Sequence, residues 1–299
     1  MQATDGRTGL ALATVYLVWG STYLAIHLAL AHFPPFLLMG SRFVLAGAVL
    51  FAWARWRGAR MPTAAQWRAA LIVGSLLLGG GMGLTAFAQQ SVSSGMTAVM
   101  IACSPLVYAL WAGAFGDWPT RGEWLGIVCG SLGAALLASG AELSGQPWGL
   151  LALLCAIVCW TLGSILSLKK FTLAPGAMGF ASEMLLGGML MLLIGLCRGE
   201  HLNLPISGVA WAAWAYLVVA GSLGAFSAYM YLLPRVSPAL VSSYAYVNPV
   251  IAVVLGATLA GEHVGRRESI AIVIIVCSVV ALTAARRATP AVVPPAEVS

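Results

Sequence analysis

Residues 16–47 read YLVWGSTYLAIHLALAHFPPFLLMGSRFVLAG, and residues 157–188 read IVCWTLGSILSLKKFTLAPGAMGFASEMLLGG. A shift of 141 lays Trp19 on Trp160, Pro34 on Pro175, Ser41 on Ser182, Arg42 on Glu183 and Gly47 on Gly188. Further along, a shift of 144 carries Pro105 onto Pro249, and one of 145 carries Gly116-Asp117 onto Gly261-Glu262 and Glu123 onto Glu268. Two small insertions account for the drift. The repeating unit is five apolar segments long, and an odd number forces the second copy to enter a bilayer upside down relative to the first. Inverted repeats of this kind are the architecture of secondary transporters, whose two bundles rock about a site near the midplane.

Composition agrees. Of the 299 residues, 61% are hydrophobic and 8% charged, with 34 glycines, and the mean hydropathy is +0.94. Such a chain cannot solvate its own surface, so a soluble enzyme or a nucleic-acid-binding module is excluded as the main body. A spanning helix needs about 20 apolar residues. Ten segments qualify: 9–31, 35–54, 68–88, 94–115, 122–139, 148–168, 174–197, 211–232, 238–259 and 268–285. The expected fold is therefore all-α and membrane-integral, with ten transmembrane helices as two five-helix inverted-topology repeats, residues 1–143 and 144–287. A proline-rich, disordered tail is expected over 288–299. The apolar start is too long for the core of a secretory signal and reads as a retained span.

Basic residues orient the chain. One side carries Arg7, Arg55, Arg57, Arg60, Arg68, Arg121, Lys169, Lys170, Arg235, Arg286 and Arg287; the other carries Arg198, Arg266 and Arg267. This asymmetry predicts both termini on the cytoplasmic side of the inner membrane. Tryptophans 53, 56, 67, 118 and 124 fall near cytoplasmic ends and 148, 211 and 214 near outer ends, as interfacial belts do. Trp19 and Trp160 are mid-span. The six cysteines lie in apolar stretches without metal or redox spacing, and read as small buried hydrophobes. No cofactor or metal site is expected.

Val18-Trp19-Gly20-Ser21, the mid-span Arg42, Asn248-Pro249-Val250 and Gly261-Glu262, set in ten spans, together resemble the EamA-type drug/metabolite transporter superfamily over essentially the whole chain. Within it the chain is most similar to the aromatic amino acid exporter (YddG-like) branch. The resemblance implies export of amino acids or other metabolites. One departure stands in the loop after the fourth span, where Gly116-Asp117 is followed by Trp118-Pro119 in place of a Gly-Glu pair.

Candidate transport residues follow from where polarity survives inside spans. Arg42 and Glu183 are the formal charges well inside, and such charges are costly unless they face a cavity or a partner. They read as a gate, as a carboxylate contact for Arg42 and a proton-titrating Glu183, or as a structural ion pair meeting near the midplane. Neutralising either is predicted to cut transport while the protein still enters the membrane. In the ninth span Tyr244 and Asn248 share a face, and Pro249 is expected to kink the helix by freeing the carbonyl of Ala245. The equivalent face of the fourth span offers Met100, Ser104, Pro105 and Tyr108. Broken helices at corresponding positions point to a binding site, although prolines also bend helices merely to fit.

Tyr16, Gly20, Tyr23 and His27 form one stripe of the first span, flanked by Trp19 and Thr22; Trp160, Thr161 and Ser164 answer in the sixth. Two mid-span tryptophans offer flat walls for an aromatic or apolar side chain, or simply pack. His27 reads as a packing group or a proton relay. The run Gly79-Gly80-Gly81-Met82-Gly83 lacks the Gly-Lys-Ser/Thr of a phosphate loop and suits close helix approach, with Thr85 and Gln89 beyond it; Gly221, Ser222, Gly224, Ser227 and Tyr229 correspond in the eighth span. Spans five and ten look peripheral.

Three classes of function are open to such a chain: a secondary transporter, a membrane-embedded enzyme, and a passive channel or facilitator, which the same fold can also serve. A secondary exporter of aromatic and other large neutral amino acids, or related hydrophobic metabolites, fits the repeat. A drug/cation-proton antiporter of the same fold is the alternative. A membrane-embedded enzyme is more distant, because no HExxH, intramembrane aspartate pair or GxSxG is present. The partners expected are a small-molecule substrate and the lipid bilayer, with no nucleic acid and no ATPase subunit.

Overall fold

The computed structural model describes residues 6–92, 97, 100–139, 146–259 and 265–288, and the elements among them are helices. In chain order they are α1 Gly6–Leu30, α2 Pro35–Trp56, α3 Ala64–Ala88, α4 Ser104–Ala114, α5 Arg121–Ala138, α6 Pro147–Lys169, α7 Ala177–Cys197, α8 Gly208–Leu232, α9 Tyr244–Leu259 and α10 Arg266–Ala288, with a short turn Pro238–Ser242 leading into α9. The side chains of Tyr23, His27 and Glu268, the pair Gly261-Glu262 and residues 289–299 lie outside the described residues.

Helix starts follow local chemistry. Prolines open α2 and α6, where a missing N–H costs nothing. Thr63 and Thr120 open α3 and α5 with reciprocal capping boxes to Gln66 and Glu123.

By length and apolarity, α1, α2, α3, α6, α7 and α8 are able to cross a membrane. Among the described residues the other four expected spans are helical over 11 residues in α4, 18 in α5, 16 in α9 and 23 in α10, the last with an apolar stretch Ser269–Ala284. Of these, α5 and α10 turn apolar rows outward, Leu125, Val128 and Leu132 on α5 and Val273, Val276 and Val280 on α10. Two of the cysteines expected inside, Cys103 and Cys197, face outward, as do Cys155 and Cys277. A bilayer is as apolar as a protein core, so an apolar residue type does not reveal which of the two it faces.

Helix packing is paired. α2 lies on α7 and α5 on α10; α1 packs on α8 and α9, α6 on α3 and α4, α2 on α8, and α7 on α3. Advancing every label by five, cyclically, maps this set of contacts onto itself. The match reaches single atoms where α2 and α7 cross. A Cβ on Gly47 would stand 2.8 Å from the Leu185 nitrogen, and one on Gly188 would stand 2.8 Å from the Val44 nitrogen. The shift of 141 that relates Gly47 to Gly188 also relates Val44 to Leu185.

The glycine-rich runs take a specific form. Ser75–Gly83 of α3 and Leu217–Phe226 of α8 are π-helical, and in the second the Ser222 hydroxyl donates to the Leu217 carbonyl at 3.1 Å. Such bulges are frequent at functional sites.

The proline expectation needs correction. α9 runs unbroken across Pro249, and the interruption falls upstream at Ser243. In the other half the interruption sits at Ala102-Cys103, and Pro105 lies in the first turn of α4, where proline is tolerated. Under the shift of 144 the position that answers to Ser243 is Val99, which lies outside the described residues.

Candidate functional site

A cavity of ≈ 100 Å³ opens between the halves. A buried water needs about 10–15 Å³, so there is room for several. Its walls are Trp19, Thr22 and Ile26 of α1, Met39 and Arg42 of α2, Gly81, Met82, Thr85 and Ala86 of α3, Ser104 with the preceding Ile101, Ala156, Ile157 and Trp160 of α6, and Tyr244 and Asn248 of α9. On α2, α3 and α4 these residues fall in the parts nearest the α1–α2 connection, so the cavity belongs to that end of the bundle.

Aromatic rings form its floor. Trp19 meets Trp160 edge-on at 5.4 Å between centroids and Tyr244 at 4.8 Å. Tyr229 packs beneath, 5.1 Å from Trp19 and 5.0 Å from Trp160. Edge-to-face contacts at these distances add to simple burial. The floor needs a side chain missing above it: a Cβ on Gly81 would lie 2.8 Å from Cε3 of Trp160. On the far side of the rings, Ser164 Oγ bonds Tyr229 Oη at 2.8 Å and Tyr16 Oη bonds Ser243 Oγ at 2.6 Å. These two bonds tie α6 to α8 and α1 to the break before α9, and they close the bundle below the floor.

Arg42 is 1% exposed and stands in the cavity wall. Its Nε donates to Ser222 Oγ at 3.1 Å, Nη2 approaches Met82 Sδ at 3.9 Å, and the guanidinium lies 4.4 Å from the Phe43 ring centre. Glu183 is fully buried on α7, and neither carboxylate oxygen has a hydrogen-bond partner among the described residues. The two do not form the ion pair that was considered. The ion pair present among the described residues joins Lys169 to Asp117 at 2.6 Å, at the opposite end of the bundle. The reason is orientation: Arg42 faces α8 and the cavity, whereas Glu183 sits where α7 crosses α3, its backbone oxygen 2.7 Å from where a Cβ on Gly74 would be.

Of the residues singled out from sequence, Trp19, Arg42, Ser104, Trp160, Tyr244 and Asn248 come together around the cavity. Tyr229 and Ser164 support it from below. Tyr108 is buried in α4 with its hydroxyl unpartnered among the described residues, and does not line the cavity. Gln89 caps the end of α3 and Met100 packs against Ala88, Val92, Ala152 and Leu153; neither reaches the cavity. Sequence reasoning passed over Met39 and Ile157, whose apolar character carries no signal of the cavity. It also saw Ser222 without its role as the partner of Arg42.

An α-helical membrane protein with a cavity between two packed halves is the form of a small-molecule transporter, and comparison with known proteins agrees. The EamA-like transporter family matches residues 7–139 and again 147–284. The chain belongs to that family. It is similar to the "Uncharacterized inner membrane transporter YedA" of Escherichia coli (strain K12), 40% identical over 282 residues that cover 94% of this chain and 92% of that one. It is also similar to a "Probable amino-acid metabolite efflux pump" of Salmonella typhimurium (strain LT2), 30% identical over 182 residues, 56% of each chain. A crystal structure of another protein shares the fold, with a TM-score of 0.78 over 94% of this chain and 97% of that one, at 24% identity.

Proposed function

We propose that this protein is a secondary exporter of the inner membrane that carries aromatic and other large neutral amino acids, or closely related metabolites, by alternating access around the cavity. The observation that carries this reading is the aromatic floor drawn from both halves, Trp19 from one and Trp160, Tyr229 and Tyr244 from the other, beneath a buried Arg42. Flat rings bury an apolar side chain, and few polar groups fix its orientation. The separate family matches to residues 7–139 and 147–284, the packing that repeats after five helices, and the reciprocal glycine contacts support ten spans in an inverted repeat. The relative named as a probable amino-acid metabolite efflux pump supports the substrate class.

With both termini cytoplasmic by the distribution of basic residues, the end that holds the cavity is the outer one. The bonds of Tyr229 and Tyr16 then seal the inner side, which makes this an outward-facing arrangement. The unpartnered carboxyl of Glu183 favours a second reading, proton-coupled antiport of a drug or cation. Uptake into proteoliposomes of labelled Phe, Trp, Tyr, Met, Thr, Lys and a hydrophobic cation, with and without a pH gradient, separates the two. Saturable, gradient-independent uptake of the aromatic and large neutral members is the expected result. Uptake of the cation alone, and only with a proton gradient, would establish the second reading instead.

A further inference from the structure

We infer that the cavity recognises its substrate by a carboxylate held on Arg42, and that a substrate amino group is accepted there but not required. This rests on the transport reading above and names the chemistry of its site. Among the residues lining the cavity, Arg42 carries the one formal charge. A guanidinium has five N–H donors in a planar fork suited to two carboxylate oxygens. Nε is used by Ser222 Oγ at 3.1 Å and Nη2 faces only the weak acceptor Met82 Sδ at 3.9 Å, so most of the fork has no protein acceptor among the described residues. A cation buried to 1% exposure with no counter-ion among the described residues calls for an anion to complete it.

The remaining polar groups are neutral: the indole N–H groups of Trp19 and Trp160, buried without a hydrogen-bond acceptor among the described residues, can donate, and the others present oxygens that can accept. Thr22, Thr85 and Ser104 donate their hydroxyl protons to carbonyls of Trp19, Gly81 and Ile101 at 2.8, 2.7 and 2.6 Å, leaving oxygen lone pairs toward their surroundings. Asn248 is 2% exposed and its Oδ1 has no hydrogen-bond partner among the described residues. These oxygens suit an ammonium or a hydroxyl about equally, and none carries a charge that would demand an ammonium. Glu183, the buried carboxyl that would do so, is not in the cavity wall. A carboxylate therefore meets a charge-assisted, bidentate partner and an amine does not.

The test compares equilibrium binding to the purified full chain of phenylalanine, 3-phenylpropionate, phenylethylamine and phenylalaninamide. Phenylalanine and 3-phenylpropionate are expected to bind with similar affinity, and the amine and amide at least about tenfold more weakly. Arg42→Gln is expected to erase the preference, whereas Arg42→Lys, which keeps the charge without the fork, retains it in weaker form. The inference is overturned if the amine binds as tightly as phenylalanine, if 3-phenylpropionate fails to bind, or if the preference survives Arg42→Gln. Uptake assays on the same preparation read the transport claim separately: a chain that binds both carboxylates but moves neither upholds the anchor and overturns the exporter.

Discussion

Arg42 and Glu183 occupy the same place in the two halves and meet different surroundings. Arg42 reaches Ser222 in the π-helical stretch of α8 and borders the cavity. Glu183 is sealed on α7 with both oxygens unpartnered. The positions of α3 that answer to Ser222 under shifts of 142 to 144 are Leu78, Gly79 and Gly80, and none offers a hydrogen-bonding side chain. A duplicated backbone thus carries unduplicated chemistry. The packing frame repeats, while the proposed recognition site lies where the first half's charge meets the second half's serine and rings.

The sharpest attack on that contrast is Arg42→Gln. Loss of one charge-assisted contact, about 1.5–3 kcal/mol, is expected to weaken substrate binding by roughly 10- to 100-fold, measured as the substrate concentration for half-maximal uptake, with the protein still inserted. Next in size is a matched pair, Gly47→Ala and Gly188→Ala. Each places a methyl 2.8 Å from backbone nitrogen of the facing helix, an overpacking expected to cost about 1–3 kcal/mol. If the halves are true structural equivalents, the two should lower the thermal midpoint of the purified protein alike; a large drop from one and none from the other breaks the symmetry.

Glu183→Gln keeps shape and removes a titratable group that has no partner to lose. The sequence expectation is that neutralising Glu183 cuts transport; because Glu183 lies outside the cavity wall, gradient-free uptake should instead stay within about twofold, roughly 0.4 kcal/mol, and any stimulation by an imposed pH gradient should vanish. The smallest effect belongs to Asp117→Asn. Its ion pair with Lys169 is exposed, with side chains 54% and 35% accessible, so less than about 1 kcal/mol of stability is at stake, again read from the thermal midpoint.

Much of this was legible before any coordinates. Apolar runs, capping threonines and opening prolines announce helices, and mid-span Trp19, Trp160, Arg42, Tyr244 and Asn248 are conspicuous because polarity and bulk are rare there. Depth was not legible. Gln89 and Met100 lie about one turn or less beyond residues that do line the cavity, Thr85 and Ile101, and a helix limit uncertain by that much decides the matter. The π-helical stretches were hidden too, because a glycine run permits close approach, bending or widening with the same composition. Proline identified a break in each half, but its effect depended on position: harmless in the first turn of α4, absorbed within α9. Outward cysteines and inward leucines cannot be separated by hydropathy when both sides of the wall are apolar.

The claim that the substrate sits on the aromatic floor beside Arg42 is tested most directly by thiol protection. With the six native cysteines replaced by serine or alanine, Thr85→Cys and, separately, Met39→Cys place a reporter in the cavity wall. Both should react with a membrane-impermeant thiol reagent added from outside, and saturating phenylalanine should slow both reactions. Equal reaction rates with and without phenylalanine, in variants that still transport it, would contradict the account.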